Sequence, residues 1–224
     1  MFVGHYAASF ASKSIRADLP LWLLFVAVQF TDYVWATLII LGIEKARYEP
    51  GFTEASPLDL YYMPYTHSLV GALVLSVVFA AAYFMFMKTR DRTRSLMTPA
   101  IILGLAVFSH WLTDLLVHVE DLPLVAGEPK FGFGLWRNYW VSQALELGLL
   151  ALAFIWYMAG TRARNLWGSI LPIGLIIVFV GLQAYSHNAP PPPNMTAFAV
   201  QALLAYTVFA ALAYAVERNR SAKA

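Results

Sequence analysis

Six stretches of this chain are each long and apolar enough to cross a lipid bilayer, which needs about 20 mostly apolar residues for a hydrocarbon core of about 30 Å. They run over Pro20 to Ile43, Met63 to Met87, Thr98 to Val119, Tyr139 to Ala159, Leu166 to Tyr185 and Met195 to Val216. Backbone polar groups inside lipid must be satisfied within the span, so the only structure these stretches allow is a bundle of helices. Composition agrees: 60% of the 224 residues are hydrophobic and 12% charged, against about 25% charged in soluble domains. The reading is an all-α polytopic transmembrane helix bundle, six spanning helices plus a short N-terminal half-helix, forming a single integral membrane domain over 1–224.

Charge narrows the partners. A net charge of +2 is too small to argue for nucleic acid, so none is expected, and the basic residues read as topology markers. Lys13, Arg16, Lys88, Arg90, Arg92, Arg94, Arg162, Arg164, Arg218, Arg220 and Lys223 fall on one side of such a bundle. Lys45, Arg47, Lys130 and Arg137 fall on the other. The excess places both termini in the cytoplasm. In the N-terminal segment, Lys13 and Arg16 follow the apolar stretch instead of preceding it, the reverse of a cleavable signal peptide. The partner this leaves is membrane lipid, with a homo- or hetero-oligomer within the membrane left open. The run Pro190 to Pro193 favours stiff polyproline II and reads as a rigid external connector. The Gly- and aromatic-rich segment Glu120 to Asn138 reads as an external flap or as a membrane-surface loop with aromatic anchors.

A charged side chain at the centre of a span costs at least about 2.5 kcal/mol, so it normally faces protein or a wet cavity. Four spans carry ionisable residues: Asp32 in the first, His67 in the second, His110, Asp114 and His118 in the third, and Glu146 in the fourth. His110, Asp114 and His118 recur every four residues, which puts them on one slowly drifting stripe of a helix with 3.6 residues per turn. Imidazole and carboxylate at i and i+4 are a common way for one helix to offer two ligands to a divalent metal. At about 1.5 Å of rise per residue, His110 and Asp32 both come about 18 Å from the inner ends of their spans. His67 and Glu146 fall at similar heights, in the outer half of the bundle. Phe2 to Ser12 is apolar but too short to span. It is either an interfacial helix or a half-helix dipping into the bundle, which would lift His5 towards the same cluster. Plainer accounts exist for single members: an interhelical hydrogen bond for His67, and a salt bridge to Arg137 or a hydrogen bond to Gln143 for Glu146. His187, beside the proline run, is expected in an external loop without a role. Several histidines and carboxylates at one depth, with few intramembrane cations, call for a metal or shared protons.

These residues occur in motifs. Gly4-His5 precedes a small-residue helix ending at Lys13, Asp32 lies late in the first span, Thr66-His67-Ser68 opens the second, and Ser109-His110-Trp111-Leu112-Thr113-Asp114 lies within the third. In that order and spacing the chain resembles the YdjM-like bacterial inner-membrane proteins, described as metal-dependent hydrolases. The resemblance covers the first half of the chain. It implies His5, Asp32, His67, His110 and Asp114 as a polar, metal-binding centre and a bacterial cytoplasmic (inner) membrane location. The chain departs from the family pattern at Tyr33 and Val34, where a second acidic residue is usual, and at Tyr62, where another histidine is usual. A two-metal site then requires His118 and Glu146 to stand in.

The leading reading is a membrane-embedded hydrolase acting on a lipid or lipid-linked phosphate or ester at the outer leaflet. Zinc is the expected metal, since the donors are imidazole and carboxylate and the chain has no cysteine. Glu146 or His118 is the candidate general base. The rivals are a non-catalytic membrane subunit with a structural metal or proton-carrying cluster, and a proton or ion transporter. The last two spans, nearly devoid of ionisable groups, weigh against transport.

Overall fold

The computed structural model describes residues 1–90 and 95–223. The expected inner-loop cations Arg92 and Arg94 lie outside the described residues. Among the described residues, five helices are long and apolar enough to cross a membrane: α4 (Leu69–Arg90), α5 (Met97–Val117), α6 (Tyr139–Gly160), α7 (Leu166–Asn188) and α8 (Met195–Arg218). A sixth span is a bent pair, α2 (Leu21–Val28) and α3 (Phe30–Ile40), whose axes differ by 52°. The break falls at Gln29, whose φ of -101° and ψ of 4° leave the helical region. The first span is therefore two helices where the sequence predicts one.

Preceding them, a 3₁₀ turn at Val3–His5 runs into α1 (Tyr6–Ile15). Of the two sequence readings of this segment, the structure has the buried one. Val3, Tyr6 and Phe10 are fully buried, and α1 packs against α6, α2 and α5. The largest apolar cluster forms around it, with Tyr6 and Phe10 meeting Phe25, Phe154, Tyr157, Phe179 and Phe209. A half-helix inside a bundle leaves donors unpaired at its start. Here Glu146 of α6 takes two of them, its Oε2 accepting from the backbone N–H groups of Phe2 (2.8 Å) and Gly4 (3.3 Å). A Cβ at Gly4 would lie 3.3 Å from the Glu146 Cα and closer still to Met1, so the glycine lets the turn approach α6.

The other end of α1 is pinned by charge. Lys13 Nζ donates to the carbonyls of Ala17 and Leu19, each at 2.7 Å, and pairs with Glu217 Oε1 near the end of α8. Glu217 Oε2 accepts from Leu21 N at 2.9 Å, at the start of α2. Short antiparallel pairs occupy segments expected only as loops: β1 (Lys45–Tyr48) with β2 (Leu58–Tyr62), β3 (Leu122–Pro123) with β4 (Lys130–Phe131), and β5 (Thr161–Ala163) with β6 (Arg220–Ala222). The last of these ties the end of α6 to the chain beyond α8. His187, expected in the loop, lies in the last turn of α7, its ring 4.3 Å from that of Tyr139.

The Lys13–Glu217 pair yields a stability prediction. Side-chain exposures are 10% and 25%, so Glu217→Ala should cost about 1–3 kcal/mol, below the 3–5 kcal/mol of a fully buried pair. Thermal unfolding of the detergent-solubilised protein should show a lowered midpoint. The double variant Lys13→Met, Glu217→Leu should recover part of the loss, because it removes the stranded charge.

Candidate metal centre

Asp114 sits at the middle of the cluster, on α5 and buried. One turn earlier, His110 points the same way, with Nε2 3.1 Å from Asp114 Oδ2. The i, i+4 spacing read from sequence thus brings both groups to one point. The ring of His110 is fixed from behind, because its Nδ1 lies 2.8 Å from the carbonyl of Val28. Val28 is the last residue of α2, and the last carbonyls of a helix lack partners within it. The break that frees this carbonyl also starts α3, whose first turn carries Asp32. Asp32 Oδ1 lies 3.4 Å from His110 Nε2, and its Oδ2 accepts from Tyr206 Oη at 3.0 Å.

His67 reaches the centre from a loop, not from the second span as the sequence predicts. That helix begins at Leu69, since Ser68 caps it by accepting from Gly71 N at 3.0 Å. A Cβ at Gly71 would come 2.0 Å from the Tyr65 carbonyl, so glycine there lets the preceding turn fold back over the helix start. Glu44, buried in the connection after α3, holds this turn. It accepts from Tyr65 N (2.8 Å), Thr66 N (3.0 Å) and Thr66 Oγ1 (2.6 Å). Thr66 Oγ1 in turn lies 2.8 Å from His67 Nδ1, and Trp111 Nε1 donates to the His67 carbonyl at 2.9 Å. His67 Nε2 then stands 3.4 Å from Asp32 Oδ1 and 3.7 Å from Asp114 Oδ2.

His118 also departs from expectation. It is the C-cap of α5, extended at φ -62° and ψ 148°, and so leaves the helical stripe of His110 and Asp114. The segment after it folds back on the helix end: Phe133 N bonds the Leu115 carbonyl at 2.8 Å and Gly134 N the His118 carbonyl at 2.6 Å. These bonds satisfy carbonyls that the helix end would otherwise leave open. Gly132 allows the contact, since a Cβ there would be 1.9 Å from the Val119 carbonyl. The fold-back sets Trp136 against the His118 ring, centroids 4.2 Å apart, and Asp121 Oδ1 2.9 Å from His118 Nδ1. His118 Nε2 faces Asp114 Oδ1 at 3.7 Å.

His5 enters from the N-terminal turn, its ring stacked on His110 at 3.7 Å. Its Nδ1 lies 2.9 Å from Thr113 Oγ1 and its Nε2 3.3 Å from Asp114 Oδ1. The Met1 ammonium reaches the same oxygen at 2.5 Å. Glu146 does not pair with Arg137, which bonds Glu120 at 2.7 Å instead. Of the residues singled out in sequence, the structure brings His5, Asp32, His67, His110, Asp114 and His118 together, with Glu146 beside them. Glu44 and Asp121 escaped the sequence reading because each lies in a connecting segment, where an acidic residue looks solvated.

Two overlapping triads, His5 with His110 and Asp114, and Asp32 with His67 and His110, each present ligand atoms within 4.8 Å of one another. Four atoms, Asp32 Oδ1, His67 Nε2, His110 Nε2 and Asp114 Oδ2, are separated along four edges by 3.1 to 3.7 Å. A tetrahedral site with bonds of about 2.0–2.1 Å has six edges of roughly 3.3–3.4 Å, and these four separations bracket that value. These groups could therefore hold a metal ion. A cavity of about 500 Å³ opens from the cluster, lined by Asp32, His67, Asp114, His118 and Glu146 at one end. Its lining also includes Leu182, Gln183, Phe198, Ala202, Tyr206 and the proline run.

Groups that orient metal-binding histidines typically affect affinity 10- to 100-fold. Glu44→Leu should therefore weaken metal binding by about that factor while the fold persists, as read by competition with a chromophoric chelator. Unchanged affinity would mean that the Thr66 turn holds His67 without Glu44. No family model, curated protein or solved structure matches the chain.

Proposed function

We propose that this polytopic membrane protein is a metal-dependent hydrolase acting on a lipid or lipid-linked phosphate or ester from the outer leaflet of a bacterial cytoplasmic membrane. The observation that carries the reading is the four-atom set of Asp32, His67, His110 and Asp114, four of whose separations are 3.1 to 3.7 Å, with three of these residues lining a cavity that also has apolar walls. The order of motifs resembling the YdjM-like proteins supports it. Zinc suits these donors, and when bound would lower the pKa of a water to about 7 and polarise the scissile bond.

The chain's own residues supply the rest. Asp32 and Asp114 bring negative charge and the imidazoles lone pairs, held in place by Val28, Thr66 and Tyr206. Glu146 and His118 both line the cavity beside the cluster, and either can take a proton from an attacking water. Leu182, Phe198 and Ala202 offer an apolar wall to an acyl or prenyl chain. The apolar side chains that line the cavity favour an amphiphile over a soluble substrate.

One observation favours a second reading, the non-catalytic subunit. Four protein atoms can close a tetrahedral shell, and closed shells mark structural sites. Proton relaxation of water in the manganese-loaded protein separates the two. Enhanced relaxation reports an open coordination position, as catalysis needs, and none reports a closed one.

Variants read the roles directly. His110→Ala and Asp114→Ala should each lose bound metal, measured by elemental analysis of the purified protein. Glu146→Gln should keep the metal while turnover falls about 10²- to 10⁴-fold. Metal lost equally in all three would make Glu146 a ligand. The cytoplasmic placement of both termini is read by tag accessibility, with a C-terminal tag expected to be reached only from the cytoplasmic side.

A further inference from the structure

Asp114 has two carboxylate oxygens, and the centre just described uses one. On the other side, Oδ1 faces His5 Nε2 at 3.3 Å and His118 Nε2 at 3.7 Å, much as Oδ2 faces His110 and His67. The hydrogen bonds behind the rings decide what those nitrogens carry. The Val28 carbonyl and the Asp121 carboxylate only accept, so Nδ1 of His110 and of His118 must donate. Thr66 Oγ1 gives its proton to Glu44 and Thr113 Oγ1 gives its proton to a backbone carbonyl of α5, so each hydroxyl accepts from its histidine. All four imidazoles therefore carry a proton on Nδ1 and turn Nε2 towards Asp114, a lone pair in each ring that is neutral, and the Nε2 atoms of His5 and His110 are buried without a hydrogen-bond partner.

Lone pairs on two sides of an acceptor-only carboxylate repel it unless positive charge stands between them. Placing one ion between Oδ2 and the His67–His110 pair leaves His5 and His118 turned to Oδ1, where the Met1 ammonium stands at 2.5 Å. An ion at this position would take the place of that ammonium. His118 is buried beside Asp114 with its far nitrogen fixed by Asp121, and ligating histidines are usually held in this way by a carboxylate or carbonyl.

We propose that Asp114 bridges two divalent ions: one held by Asp32, His67, His110 and Oδ2, the other by His5, His118 and Oδ1, open on its cavity side. The inference rests on the metal-binding reading above. It makes His118 a ligand, which leaves Glu146 as the proton acceptor of the two candidates. Ions bridged by one carboxylate lie about 3.5–4 Å apart, the spacing at which two metals clamp the attacking and leaving oxygens of a displacement at phosphorus.

The test loads the full chain in detergent with zinc chloride or manganese chloride, removes excess ion and counts metal per chain by mass spectrometry. Electron paramagnetic resonance is recorded on the manganese form. The expected result is two ions per chain and an exchange-coupled manganese signal, falling to about one ion and the signal of isolated manganese in His5→Ala and in His118→Ala. Should His118→Ala lose its monodisperse profile, His118→Gln and the wild-type resonance alone still decide the matter. One ion per chain, uncoupled and unmoved by His118→Ala but lost in His67→Ala, would overturn the bridged pair and leave the single centre standing, with the ammonium balancing Oδ1. No ion bound in any condition would overturn both.

Discussion

A buried carboxylate surrounded by imidazoles is the constraint to which the rest of this structure answers. Asp114 cannot be left in a low-dielectric interior without compensation, since an unpaired charge there costs several kcal/mol. Its neighbours come from separate parts of the first 120 residues: the N-terminal turn, the turn before α4, and α5 with its C-cap. The bundle supplies the shell, and the polar centre sets how its irregular pieces enter.

Those irregular pieces share a device. Each segment that brings a ligand ends or begins a helix close to the centre, and each turns an orphaned backbone group into part of the scaffold. Val28's carbonyl holds His110, the amides of Phe2 and Gly4 hold Glu146, and the carbonyls at the end of α5 hold the fold-back that carries Trp136 to His118. In lipid such groups must find partners. The same requirement that makes broken helices costly in a membrane therefore makes them useful for fixing side chains.

Much of this is legible in the sequence, for reasons that can be named. Span boundaries follow from hydropathy, and α5 to α8 begin and end within a few residues of the windows read from composition. His110 and Asp114 are legible because one helix carries both and periodicity fixes their relation. The buried course of α1 is only half legible, since a short apolar segment suits an interface as well as an interior. Less accessible is what depends on chain reversal. Ser68 and Gly71 end the extended segment before α4, but a capping serine inside an apolar window looks like another small residue. Asp121 and Glu44 become meaningful only once the loops that carry them have folded against histidines distant in sequence. The strand pairs are too short to show a period of two.

The 52° bend at Gln29 gives the centre a property that its list of ligands does not contain. A helix running straight through this point would draw the Val28 carbonyl into its own ladder, deprive His110 of its acceptor and swing Asp32 away at the same stroke. The angle between two half-helices and the shape of the polar cluster are thus one variable, not two. An ion held between Asp32 and His110 would favour the bent form over a straight one, and by thermodynamic reciprocity straightening would weaken its binding.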